Sequence, residues 1–202
     1  MYRVREGVQL ILASASPRRQ QMLADLGLIF SLAPSDVDET LLPSETAPQA
    51  AQRLARAKAR AAQAQWPDRA VLAADTLVAL PDGRILGKPF DYDHARSMLK
   101  LLAGREHLVV SGYCLFWRGQ EQCGAVESRV RFRNLMEAEI EAYLASGEPM
   151  DKAGAYAVQG LAAAFVEEVH GSFSNVVGLP LARIVDLLLR LGVIAPLGEG
   201  PR

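Results

Sequence analysis

No stretch of this 202-residue chain approaches the roughly 18 consecutive apolar residues that cross a bilayer. The first residues, Met1-Tyr2-Arg3-Val4-Arg5-Glu6-Gly7, also lack the apolar core of a signal peptide, so a cytoplasmic protein with no membrane partner is expected. Like charges never run to five, and 22 Lys+Arg against 23 Asp+Glu leave a net charge of −1, which argues against general affinity for nucleic acid. Any anion site must therefore be local. With two cysteines, three histidines and neither HExxH nor CxxC, the chain shows no zinc or redox-dithiol pattern. Cys114 and Cys123 fall on what read as paired strands, where a disulfide is geometrically possible. Two are too few for a secreted scaffold, and they are read as free thiols. GxxxxGK[ST] is absent, which removes kinase and motor NTPase readings.

Half of the residues are hydrophobic, enough for one good-sized core, and no repeat or linker interrupts the chain. A single domain over residues 1–194, with a disordered tail over 195–202, is expected. The run Leu10-Ile11-Leu12-Ala13 reads as a buried strand. It leads into Ser14-Ala15-Ser16-Pro17-Arg18-Arg19, where Pro17 opens a helix and Ser16 is its expected N-cap. Two arginines in a first helical turn oppose the helix dipole by about 0.3–1 kcal/mol each, a mismatch that a bound anion such as phosphate would offset. The alternative is a capped surface helix with two solvated arginines.

Thr46 and Pro48 open an alanine-rich helix that runs to about Gln65, where Trp66-Pro67 breaks it. Lys58 lies on its apolar stripe with Ala51, Leu54, Ala55 and Ala62, so it either snorkels to water or carries its ammonium to a buried anion. The strand Ala70–Ala74 runs into Asp75-Thr76 and continues as Leu77–Leu80 to the turn Pro81-Asp82-Gly83. A carboxylate inside such a run costs several kcal/mol unless paired, hydrogen-bonded or metal-bound, which makes Asp75 the strongest catalytic candidate beside a structural salt bridge. Gly87-Lys88-Pro89 forms a turn that projects a lysine.

Further helices are expected over Tyr92–Leu102, Glu137–Ser146 and Leu181–Leu191. The two long strands, about His107–Trp117 and Glu121–Phe132, are joined at Arg118-Gly119-Gln120. A strand is expected over Phe165–Val169, followed by a polar loop over Gly171–Gly178. Basic residues (Arg18, Arg19, Lys58, Lys88, Lys152) and carboxylates (Asp36, Asp38, Glu39, Asp75, Asp151) recur in short turns beyond strand ends, the edge at which open α/β sheets bind ligands. Cations to hold a polyphosphate, with carboxylates to hold Mg²⁺ or Mn²⁺ and orient a water, suit attack on a phosphoanhydride. Asp75 and Glu39 are the expected metal ligands.

Five motifs occur in order between Gln9 and Leu191: SASPRR at Ser14–Arg19, AADT at Ala73–Thr76, GKP at Gly87–Pro89, GEPMDKAGAYAVQG at Gly147–Gly160 and NVVGLPL at Asn175–Leu181. Together they resemble the Maf family of nucleotide pyrophosphatases. The resemblance implies an elongated mixed α/β sheet with flanking helices and two lobes around a cleft, like the inosine-triphosphate pyrophosphatases, and commonly a homodimer. It also implies hydrolysis of a nucleoside triphosphate between its α and β phosphates with a divalent metal. By position, Asp75 matches the proton acceptor that activates water. Ser14, Arg18, Arg19, Lys58 and Lys88 match phosphate-binding groups, with Lys152 added as a substrate-binding cation. Arg18, Thr76 and Gln159 match positions linked to substrate choice. DKAGAY followed by Gln159 resembles the branch acting on dTTP and UTP, and an amide can offer a pyrimidine edge both donor and acceptor. Ser128 and Tyr113 depart from the family pattern without touching this chemistry. The competing reading is a nucleotide-binding regulator of cell division without turnover.

Overall fold

The computed structural model describes residues 1–198. The chain opens with β1 (Tyr2–Val4), β2 (Leu10–Leu12), α1 (Pro17–Asp25), β3 (Ser31–Leu32) and α2 (Ala47–Gln65). Next come β4 (Ala70–Ala79), β5 (Ile85–Leu86), α3 (Tyr92–Leu102), β6 (Glu106–Trp117), β7 (Gln120–Phe132) and α4 (Glu137–Ala145). After three short 3-10 turns between Glu148 and Phe165, the chain closes with β8 (Val166–His170), α5 (Phe173–Val177), α6 (Leu181–Arg190) and β9 (Ile194–Pro196). The expected mixed α/β fold is what forms: a seven-stranded mixed sheet in the order β3-β2-β4-β6-β7-β8, with β5 paired to β4, flanked by helices. Among the described residues, no helix is long and apolar enough to cross a membrane.

β4 is the strand that positions the site. It pairs antiparallel with β6 from Val71 to Ala79 along one edge. Its other edge pairs with β2 only at Ala70–Leu72 and with β5 only at Val78 and Ala79. A gap is left between, at Ala73–Leu77. Alternation along the strand sends successive side chains to opposite faces. Val71, Ala73, Leu77 and Ala79 pack toward α2, while Leu72, Ala74 and Val78 join the large core on the other face. Burial on both faces explains why the strand reads as a continuous apolar run. Asp75 is therefore mid-strand, inside the apolar run that the sequence shows it interrupting.

α2 starts where expected. Thr46 Oγ1 accepts from Gln49 N, and Gln49 Oε1 accepts from Thr46 N at 2.9 Å, a reciprocal cap that satisfies two free donors. Its buried face is almost all alanine (Ala47, Ala50, Ala51, Ala55, Ala59, Ala62), which lets the helix lie close to β4 and β6. At α1 Ser16 takes the expected N-cap position before Pro17, but its hydroxyl makes no capping bond. Ser14 Oγ accepts from Ser16 N at 3.2 Å instead. The hydroxyl two residues earlier is the one that reaches the turn.

Three other expectations change. Cys114 and Cys123 are joined in a disulfide rather than free. The physical reason is register: the turn at Arg118 and Gly119, both with positive φ, pairs Trp117 with Gln120 and so sets Cys114 opposite Cys123. The tail expected to be disordered begins as a strand, since Ala195 and Pro196 belong to β9, which pairs antiparallel with β1. Residues 199–202 of that tail lie outside the described residues. The expected polar loop over Gly171–Gly178 contains α5, with Ser172 Oγ accepting from Asn175 N at 3.2 Å as its cap.

Candidate functional site

The gap in the edge of β4 opens into a cleft of about 590 Å³, within the range that holds a nucleotide-sized ligand. The start of α1, the loop after β3, the middle of α2, the Gly87-Lys88 turn and the segment Tyr156–Gln159 all contribute to its lining. Of the sequence candidates, Ser14, Arg18, Arg19, Glu39, Lys58, Asp75, Thr76, Lys88 and Gln159 all line it. Lys152 does not. Its ammonium turns back onto the side chain of Asp151 and, at 3.4 Å, the carbonyl of Glu148. Asp38 accepts from Thr40 N within its own loop, and neither Asp36 nor Asp38 lines the cleft, whereas Asp151 does.

Asp75 is 7% exposed and receives Lys58 Nζ on Oδ1 at 2.5 Å. Lys58 thus resolves its two readings by reaching a buried anion from the α2 face. Glu39 Oε1 meets the same ammonium at 2.6 Å, so two carboxylates from separate segments converge on one cation. Burial pushes the Glu39 carboxyl up. The hydrogen bond from Lys58 and the charges of Lys58, Lys88 and Arg19 outweigh it and hold the group below the usual carboxylate range.

Thr76 points to the other face and meets Arg19. The guanidinium donates from Nη2 to Thr76 Oγ1 at 2.9 Å, from Nη1 to Ser14 Oγ at 3.2 Å and from Nε to the Gly178 carbonyl at 2.8 Å. Burial lowers its proton affinity, with Asp75 opposing and the neighbouring Arg18 adding to the fall. Three of five N–H donors are committed, which fixes the plane and leaves two for a ligand. Four cations (Arg18, Arg19, Lys58, Lys88) thus face three carboxylates (Glu39, Asp75, Asp151) across one cleft.

Residues that the sequence reading passed over hold this arrangement in place. Ser111 and Asn175, both fully buried, lie directly behind Thr76. Ser111 interrupts an apolar strand much as Asp75 does, and that interruption was a signal open to reading. On the opposite side, Tyr143 Oη donates to Glu148 Oε1 at 2.9 Å and accepts from Ala157 N. Glu148 Oε2 in turn accepts from Leu161 N at 3.1 Å, so both ends of the loop that carries Gln159 are tethered.

His107 Nε2 and Tyr156 Oη are 2.8 Å apart behind the cleft wall, against the ring of Phe132. Burial pushes His107 down to about 4, against a raising effect from the Arg105 backbone. The folded protein therefore binds fewer protons than the unfolded chain between roughly pH 6.5 and 4, and stability falls as pH drops through that window. From pH 6.5 to 5 the expected loss is about 2 kcal/mol, at roughly 1.4 kcal/mol per unit. Urea titrations at the two pH values check this, and His107→Phe should flatten the difference.

The family model described as Maf-like protein matches residues 9–191. A relative from Syntrophus aciditrophicus is 47% identical over 193 residues, covering 95% of this chain and 94% of its own. Relatives from Hahella chejuensis (50% identical, 92% and 93% covered) and Anaeromyxobacter dehalogenans (50%, 93% and 96%) align similarly. All three are named dTTP/UTP pyrophosphatase. A solved structure of a Vibrio cholerae protein aligns with 69% of this chain and 73% of its own at 13% identity and a TM-score of 0.33, too distant to bear on the site.

Proposed function

Because the chain belongs to the Maf-like family, we propose that its cleft hydrolyses dTTP, UTP and modified pyrimidine nucleotides to the monophosphate and pyrophosphate. The observation that carries this reading is Asp75: a buried carboxylate in the unpaired stretch of a central strand, facing the cleft's cations. Arg18, Lys88 and the two uncommitted donors of Arg19 supply charge and hydrogen bonds to a polyphosphate. Asp75 takes a proton from water as the water oxygen bonds to the α phosphorus. The α–β phosphoanhydride P–O bond breaks, and its electron pair leaves with pyrophosphate. Lys58, held at Asp75 Oδ1, orients the carboxylate for that transfer. Gln159, which lines the cleft on the tethered loop, reads the base through its amide donor and acceptor.

The donor set fits a divalent cation. Asp75 and Glu39 each turn one carboxylate oxygen to Lys58 Nζ, and their second oxygens would be the ones to hold the ion, since Mg²⁺ is commonly held by one or two carboxylates plus substrate phosphates. When bound, Mg²⁺ or Mn²⁺ would neutralise charge developing on the phosphates.

The test is a panel of dTTP, UTP, CTP, ATP and 7-methyl-GTP with Mg²⁺ or Mn²⁺, scored separately for pyrophosphate and phosphate. Pyrophosphate released most efficiently from dTTP and UTP is expected. Release of phosphate alone overturns the proposal, and saturable binding without any product favours a regulator that binds nucleotide and does not turn it over.

A further inference from the structure

The segment 33–46 that carries Glu39 from β3 to α2 forms neither helix nor strand, so contacts outside it must place that carboxylate in the cleft. The Lys58 contact alone is too weak for this. Glu39 is 51% exposed, and an ion pair with one partner half in water contributes little against the entropy of ordering a loop.

Two small turns give the segment its local shape. Asp38 Oδ1 accepts from Thr40 N at 2.9 Å, which folds the chain around Glu39. Further on, Leu42 N donates to Glu45 Oε2 at 3.3 Å while Glu45 N donates to the Leu42 carbonyl at 3.2 Å. At the near end, Ser35 Oγ donates to the Lys58 carbonyl at 3.2 Å. Beyond Glu39 the anchor is a single side chain of α2 that joins both turns. Arg53 donates from Nη2 to the Thr40 carbonyl at 3.0 Å, and from Nε and Nη2 to the two Glu45 oxygens at 2.7 and 2.8 Å. Arg53 precedes Lys58 by five residues on α2, about 7.5 Å along the helix axis. The helix that presents the ammonium therefore also fixes the backbone next to the carboxylate that meets it.

From this geometry we propose that Arg53 is a positioning residue that holds Glu39 beside Lys58 and Asp75, where its free oxygen takes a divalent cation. The inference rests on the reading of Glu39 and Asp75 as cation ligands and deepens it, since Arg53 does not itself line the cleft. Its sign separates it from simple electrostatics. The hydrogen bond to Glu45 raises the proton affinity of Arg53, and the charges of Glu45, Asp38 and Asp75 add to the rise, so the guanidinium is within electrostatic reach of the site. Removing that positive charge alone would strengthen cation binding, whereas losing the anchor weakens it.

The experiment titrates Mn²⁺ into the protein without nucleotide and counts the free ion by electron paramagnetic resonance. It compares the unsubstituted chain, Arg53→Gln, Arg53→Lys, Glu39→Gln and the double variant of Arg53→Gln with Glu39→Gln. Arg53→Gln should weaken Mn²⁺ binding about tenfold, the lower end for loss of a residue that orients a metal ligand. Arg53→Lys keeps the charge and loses the fork, and should lose nearly as much. In the Glu39→Gln background, Arg53→Gln should add nothing. The Mn²⁺ concentration for half-maximal pyrophosphate release from dTTP should rise by the same factor, with kcat at saturating Mn²⁺ little changed.

Arg56→Gln removes a cation of the same helix that pairs with Glu121 instead of the loop, and should leave Mn²⁺ affinity within about twofold. Unchanged or tighter Mn²⁺ binding by Arg53→Gln, additive losses in the double variant, or losses that track a falling melting temperature across the set overturn the inference. It also falls if the unsubstituted chain binds no Mn²⁺ or if Glu39→Gln binds it normally. The pyrophosphatase reading is judged separately, by pyrophosphate release from the unsubstituted chain.

Discussion

Asp75→Asn is expected to lower kcat by about three orders of magnitude, the range for loss of a general base, while nucleotide affinity changes by no more than about threefold. The amide keeps the size and one acceptor of the carboxylate, so Lys58 retains a hydrogen-bond partner at Oδ1 and an ion pair with Glu39. What the amide cannot do is accept a proton at neutral pH. The phosphate-gripping groups Arg18, Lys88 and Arg19 belong to other segments of the chain and should hold the nucleotide as before. Single-turnover quench measurements with dTTP, together with calorimetric titration of the variant, separate the two effects.

If Asp75 were only a structural partner for Lys58, the variant would turn over normally and show its defect in melting temperature. Removing one member of a buried pair typically costs about 3–5 kcal/mol when the other charge is left uncompensated. Glu39 provides that compensation here, so a large thermal shift with intact turnover would assign the pair to stability and place the base elsewhere.

Much of this site was legible because burial and charge conflict in plain sight. Asp75 interrupts an apolar run that both faces of β4 require, and Lys58 interrupts an alanine stripe that packs on β4 and β6. Each interruption predicted a partner, and the two are each other's partner. The ends of α2 were legible for a similar reason, since Thr46 and Pro48 at the start and Trp66-Pro67 at the end are local signals. Pairings that depend on distance along the chain were not. β1 and β9 are three residues each and lie at opposite ends of the chain, so no local pattern announces them. The disulfide depended on thiol chemistry that the register permits and composition does not decide. Lys152 carried the right charge in the right loop, but its side chain prefers the acidic neighbour beside it. Asn175 sat in a recognisable motif, yet its role behind Thr76 required the fold that brings α5 against β6.

Gly112→Ala should be among the most damaging single methyl additions in the protein, although alanine is ordinarily the better strand residue. Gly112 pairs with Asp75 across β4 and β6, and α2 crosses directly over it. A Cβ at that position would lie 2.0 Å from the Ala51 carbonyl oxygen, 2.1 Å from its carbon and 2.5 Å from Gln52 N. These are backbone atoms of a helix interior, so no rotamer change relieves the clash and α2 must shift outward as a body. Overpacking of this kind costs about 3 kcal/mol or more when the neighbours cannot yield.

The functional loss should exceed the loss of stability. Lys58 lies seven residues beyond Ala51, two turns along the same helix face, and its 2.5 Å contact with Asp75 does not survive a displacement of an ångström or more. Truncating Ala51 to glycine should give no rescue, because the clash is with main chain. Gly124→Ala supplies the contrast. Its added Cβ would meet the phenol end of Tyr113, 2.6 Å from Oη and 2.8 Å from Cζ, and that side chain can swing aside. Chemical denaturation and pyrophosphate release measured on the three variants decide the matter. Near-normal behaviour of Gly112→Ala would show that α2 does not need this close approach to deliver its lysine, and would remove the structural basis for coupling Lys58 to Asp75 through helix packing.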